Sequence, residues 1–254
     1  MSTLLMRLAA PLQSWGVDSK FERRNAGRFP SKSGVIGMCA AAFGYSRYNE
    51  EGLEKLVNLK FGVRIDKCGT LLKDFHMAHE EMFWSTDDRR RINQMLPQDK
   101  KNKASYLTTR YYLADAAFLV GLEGDDRIIH DIDNALRYPM FPLYLGRRSC
   151  PPEGRVSLGI VPDALHNALE KHPPLTGLDA NRSAFEKMRI IMDAESIEVD
   201  KQRGSYSLHD NPRSFSPVHR KHDFRSVCEI DITATQTIVD YDALSAVEEV
   251  SPCT

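Results

Sequence analysis

The chain has 254 residues, of which 42% are hydrophobic and 27% charged, and its formal net charge is −1. That length and composition suit one large soluble domain, or one domain with sizeable insertions. No run of eighteen apolar residues offers a membrane span, and five scattered cysteines without CxxC spacing indicate neither zinc nor a disulfide framework.

The opening TLLMRLAA (3–10) predicts a buried strand, closed by Pro11. Arg7 interrupts this apolar run, so it is a poor signal peptide, and a reducing cytoplasm is the expected location. After a turn and a basic loop, PSKSGVIGMCAAAFG (30–44) predicts a helix of small residues, capped by Ser31 or Ser33 and ended by Gly44. A second short helix follows over 48–59, then a strand over 60–69.

From 70 to 113 the periodicity loosens, and the polar middle reads as a long projecting insertion. A strand over 114–124 and a capped amphipathic helix over 125–139 come next. The order strand, helix, strand, insertion, strand, helix predicts an α+β fold with a ferredoxin-like (RRM-like) core. That core spans 1–160, with an inserted thumb at about 74–110. Residues 161–254 read as a β-rich C-terminal extension packed on it, with strands in RVSLGIV and VCEIDITATQTIVDY. Residues 162–225 carry no clear pattern.

The near-zero net charge hides local excesses. Residues 89–110 hold seven Lys or Arg against Asp99 alone, and residues 229–254 hold six acids with no Lys or Arg. Basic surfaces attract polyanions, although a charge run is also consistent with a solvated face.

Two stretches carry specific chemistry. GRFPSKSGVIG (27–37) lacks the order of a P-loop, yet offers Arg28, Lys32 and a helix N-terminus that favours an anion. The same residues would also make an ordinary helix start. GLY-ARG-ARG-SER-CYS at 146–150 sits after a strand-like run and before Pro151 and Pro152. Glycine permits a tight turn, the prolines stiffen the exit, and arginine presents a planar fork suited to phosphate. Carboxylate pairing is the alternative. Aromatic residues interleave with the basic ones, a combination that suits single-stranded nucleic acid; the alternative is that most are core, as Phe29 and Tyr112 read. The His76/His79 and His219/His222 pairs do not form a metal signature.

Taken in order, LLMRLAAPLQSWG, GRFPSKSGVIGMCAAAFG, RYYLADAAFLVGL and YPMFPLYLGRRSCPP resemble the CasD family, small RNA-gripping subunits of type I-E CRISPR surveillance complexes. The resemblance covers 3–160 and, more loosely, 205–232. It implies a non-catalytic subunit that grips the 5′ handle of the CRISPR RNA. The implied neighbours are a backbone subunit (CasC), a large subunit (CasA) and, through the guide duplex, target DNA, with no membrane and no cofactor.

Carried onto this chain, the implied RNA-binding set is Gln13, Trp15, Arg28, Lys32, Ser33, Gly34, Tyr144, Gly146, Arg147, Arg148, Ser149 and Cys150. The implied thumb contacts are Arg89, Arg90, Arg91, Lys100, Lys101 and Lys103. A competing expectation is a metal-independent endoribonuclease that processes CRISPR RNA precursor, as in type I-C relatives. Lys73, His76, His79 or Tyr111 would then act as acid or base.

Overall fold

The computed structural model describes residues 1–16, 23–24, 26–78, 106–175, 187–197 and 204–233. Strand β1 (Ser2–Gln13) is followed by a two-residue strand β2 (Arg23–Arg24) and helices α1 (Lys32–Ala42) and α2 (Glu50–Val57). Strands β3 (Lys60–Lys67), β4 (Thr70–Ala78) and β5 (Tyr106–Gly124) precede helix α3 (Asp126–Arg137) and strand β6 (Ser157–Val161). Helix α4 (Leu165–Lys171) and strands β7 (Lys187–Asp193), β8 (Ser205–Ser214) and β9 (Lys221–Thr233) complete the described chain.

One sheet takes all these strands, along the path β6-β1-β5-β3-β7-β9-β8, with β2 and β4 added to β5. Among the described residues only the short β2–β5 pairing is parallel. The centre of β5 is buried on both faces, because successive side chains alternate between two cores. Phe118, Val120 and Leu122 join Leu4, Met6, Leu8, Phe61 and Val63 beneath α1, α2 and α3. Leu119, Leu5, Ile190 and Met192 pack against Leu165, Ala168 and Leu169 of α4 on the other face.

The helices start and stop where local chemistry dictates. Ser31 Oγ accepts from Gly34 N at the start of α1, and Gly44 ends that turn at φ +74°. Asp125 caps α3 through Arg127 N. The end of α4 is held by a buried guanidinium: Arg64 pairs with Asp66 and donates to the carbonyl oxygens of Leu169, His172 and Pro173. Those last carbonyls have no intrahelical partner, and Arg64 supplies one.

Two expectations need correction. Pro11 does not close β1, which runs on to Gln13. Arg7 N donates to Val156 O and Ala9 O accepts from Glu153 N, so odd-numbered residues of β1 point their backbone groups away from β5. Pro11 therefore lacks an N–H only on that outer edge, where the loss costs little. Second, much of the supposed insertion is strand. β4 pairs with the first half of β5, from Thr70↔Ala114 to Ala78↔Tyr106, as a β-hairpin arm. Leu71, Leu72 and Phe75 on β4 are exposed, so no buried face prints a period-2 signal in the sequence.

The arm leaves the sheet at a row of irregular backbone. Asp115 has φ 57°, Gly69 beside it in β4's approach has φ 66°, and Pro11 lies across from Asp115. A Cβ on Gly69 would stand 2.6 Å from Ala114 O. The unassigned stretch 162–225 supplies α4, β7, β8 and the start of β9. β7 pairs directly with β3, so these strands continue the same sheet.

Candidate nucleic-acid interface

The loop after α3 folds back onto the end of β1. Leu145, fully buried, anchors it: its carbonyl accepts from Ser14 N and its N–H donates to Cys150 O. Cys150 N donates to Arg147 O, closing a tight turn. Gly146 sits at φ 90° against Ser14, where any side chain would collide with backbone. The two arginines are thus presented from a loop locked at both ends.

Arg147 points back over β5. Its Nη1 donates to Tyr111 O at 3.3 Å, and its guanidinium carbon lies 4.7 Å from the centre of the Tyr112 ring. Burial pushes the Tyr112 phenol up, but Arg147, Ser149 and Arg110, which favour its ionised form, outweigh it and leave Tyr112 below its ordinary value. Arg110 Nε is buried and has no acceptor among the described residues. Arg110 and Tyr112 are two apart on one strand and so share a face. Asp74 stands across from Arg110 in the register. Arg148 and Ser149 are exposed beside the cluster.

The other site residues from the sequence fall into two groups. Arg28 is exposed in the loop that leads into α1, and Ser33 and Tyr144 are half-buried. Gln13, Trp15, Lys32 and Cys150 are buried within the fold. Gln13 Nε2 donates to Leu8 O and Ala116 O, and Trp15 Nε1 donates to Gln13 Oε1 at 3.0 Å. Gly34 lets α1 approach the Trp15 ring, since a Cβ there would stand 2.9 Å from Cε3. These residues support the loop from beneath. Burial holds the Cys150 thiol above its ordinary value, as befits a packing residue.

The start of α1 already holds an anion of its own. Asp210 Oδ2 accepts from Lys32 N at 2.8 Å, and Lys32 Nζ lies 3.3 Å from Asp193 Oδ2. Arg225 completes the network with Asp210 at 2.6 Å and Asp193 at 2.7 Å. Burial, its largest influence, pulls the Lys32 amine below its usual range. An external phosphate at this helix end would have to displace Asp210.

Lys73 and Tyr111 oppose each other in the β4–β5 register, on the face of the arm away from Arg110 and Tyr112. His76 lies farther along β4, and His79, with Arg89–Arg91, Lys100, Lys101 and Lys103, falls outside the described residues. Among the described residues no cluster of His, Cys, Asp or Glu could hold a metal, and no helix is long and apolar enough to cross a membrane.

The family model described as CRISPR-associated protein (Cas_Cas5) matches residues 3–228. The chain belongs to this family. The Cas5-family match includes 162–204, which the sequence resemblance had left out. The chain is 32% identical over 170 residues to "CRISPR system Cascade subunit CasD" of Escherichia coli (strain K12), across 62% of this chain and 70% of the relative. A chain of a solved "CRISPR RNA-guided surveillance complex" is similar with a TM-score of 0.71 at 30% identity, covering 91% of this Cas5-family chain and 90% of that one. A crystal structure of a Cas protein is similar with a TM-score of 0.65 at 34% identity, covering 91% and 95%. Neither Arg110 nor Tyr112 stood in the site read from sequence. Their alternate spacing would have marked them had the strand been traced back to Tyr106.

Proposed function

We propose that this Cas5-family chain is a non-catalytic RNA-binding subunit of a type I-E CRISPR surveillance complex. In this reading the 145–150 loop and the neighbouring face of β5 hold the 5′ handle of the CRISPR RNA. The observation that carries it is the convergence of Arg110, Arg147 and Ser149 on Tyr112, with Arg110 Nε buried and lacking an acceptor. Two guanidinium groups brought to one place favour an anion, and a phosphate oxygen accepts charge-assisted bonds from such groups. The likeness to a Cascade subunit and to a surveillance-complex chain supports the setting.

The strand order β6-β1-β5-β3, with α1 and α3 as the crossovers, supports a ferredoxin-like core. In this reading the β4–β5 arm belongs to the thumb expected at about 74–110, and its cationic residues serve RNA phosphates. CasC-like and CasA-like subunits are the neighbours, and target DNA is met through the guide duplex. The chain does not cut RNA in this reading: Lys73 and Tyr111 lie across the arm from the anion-favouring cluster.

Co-purification with neighbouring subunits, followed by end-mapping of bound RNA, tests this. RNAs of uniform length sharing one repeat-derived 5′ end are expected. Generation of that end by the isolated chain from precursor RNA, in chelator, would establish the nuclease instead. Recovery of no RNA would reduce the family assignment to a statement about fold.

A further inference from the structure

The chain leaving α3 is apolar although it lies on the surface. Tyr138 is 85% exposed, Met140 70% and Phe141 51%, in one run with Pro139 and Pro142. Single exposed apolar residues are ordinary, but three within four positions form a patch. The backbone of this run is anchored: Tyr138 N donates to Asn134 O at 3.0 Å and Met140 N to Ala42 O at 2.9 Å.

Beside this run lies a cleft of about 470 Å³, lined by Leu136–Pro139 and Leu143 from one segment and by Pro152 and Gly154–Val156 from another. Both segments are fixed. Arg7 N donates to Val156 O and Glu153 N to Ala9 O, while Asp133 accepts from Arg137 Nε and from Ser157 Oγ. Two guanidinium groups and no carboxylate belong to the lining. Arg137 is held by Asp133 at 3.0 Å, at the carbonyl end of α3. Arg155 is exposed and has no ion-pair partner among the described residues, and the nearby Glu153 pairs with Arg7 at 3.8 Å.

We infer that this cleft docks a partner protein through a segment in which an apolar side chain adjoins an aspartate or glutamate. The apolar side chain fills the cleft against Leu136, Leu143 and Val156, and the carboxylate pairs with Arg155. Charge complementarity names the acid, since the only charged groups of the lining are cations. The residue types name a protein. Tyr, Phe, Met and Arg are enriched at protein interfaces and Lys is depleted, and no Lys stands between 137 and 156. Nucleic acid fits less well, because bases stack on flat faces and, apart from Tyr138, the cleft offers aliphatic side chains and prolines. Leu143 and Pro152 flank the arginine loop in the chain, so the docked segment stands at the root of that loop. This contact is with protein, so it stands apart from the RNA-binding reading.

The test uses the full chain in the complex it forms with its co-expressed neighbouring subunits. The photo-crosslinker p-benzoylphenylalanine replaces Tyr138, whose exposure keeps the change out of the core. Mass spectrometry maps the point of attachment. The expected product joins position 138 to a subunit segment in which an acidic residue adjoins an apolar one. Arg155→Glu should lower its yield about tenfold, and arginine substituted for the mapped acid should restore it in that background. Crosslinking to RNA alone, to a protein segment without a carboxylate, or to nothing in the assembled complex would overturn the inference. So would a yield that Arg155→Glu leaves unmoved. Bound RNA is measured in the same samples. An intact crosslink in a complex without RNA would strike the RNA reading and leave this one standing, and RNA without the crosslink would do the reverse.

Discussion

A Cβ placed on Gly146 would stand 1.8 Å from the carbonyl oxygen of Ser14. That approach welds the arginine loop to the end of β1, and with φ at 90° it admits no other residue. Gly146→Ala is expected to cost about 2–3 kcal/mol through backbone strain and displacement of the loop. Chemical denaturation measures the first effect. RNA affinity should fall in parallel, because Arg147 and Ser149 move with the loop.

Arg110 and Arg147, 37 positions apart in the chain, converge on the Tyr112 side chain. Arg110→Ala and Arg147→Ala should each weaken RNA binding about tenfold at low salt, and each should flatten the dependence of log K on log salt by about one unit. The fold should survive both. A titration series across salt concentrations reads both quantities. An unchanged salt slope would remove that arginine from the phosphate contacts.

Lys32 should behave differently. It is buried between Asp193 and Asp210 and belongs to the Arg225 network. Lys32→Ala leaves Arg225 alone to balance two buried carboxylates, and one uncompensated buried charge typically costs about 3–5 kcal/mol. The expected result is a large fall in melting temperature. A well-folded Lys32→Ala protein that has lost RNA affinity alone would show that Lys32 meets phosphate after all.

The alkaline limb of stability has an assigned source. Burial raises the Cys39 thiol from its ordinary 9.0 to about 12. Above pH 9 the unfolded chain releases this proton while the folded chain keeps it, so the folded state binds more protons and loses stability as pH rises. The contribution is fully present below pH 9 and is lost between pH 9 and about 12. The slope is about 1.4 kcal/mol per pH unit. Cys39→Ala should remove that slope while costing about 1 kcal/mol or more at neutral pH through the space it leaves. Denaturation at pH 8, 10 and 11 decides it.

The sequence makes the first sheet legible because its elements are buried on at least one side. The helices at 32–42, 50–57 and 126–137 carry caps that can be read locally in Ser31, Asn49 and Asp125. The β4–β5 arm is not legible, because exposed Leu71, Leu72 and Phe75 erase the alternation that burial prints. β8 is obscured by irregularities around Leu208–Asn211 and Pro212–Ser214. The arginine loop stands out through Gly146 and its prolines. The rest of the cluster does not, since what draws attention to Arg110 is Arg147 folding back onto its strand neighbour Tyr112. Lys32 misleads for the same reason: its carboxylate partners lie more than 160 residues away.

The measurement closest to the central claim is the affinity of the assembled subunit for a repeat-derived RNA 5′ end, comparing wild type with the Arg110→Ala/Arg147→Ala double variant across salt. The account predicts a folded double variant with affinity lowered about a hundredfold at low salt and a salt slope shallower by about two. A folded double variant with the wild-type affinity and slope would contradict it, and the Arg110–Tyr112–Arg147 cluster would then be a structural lock alone.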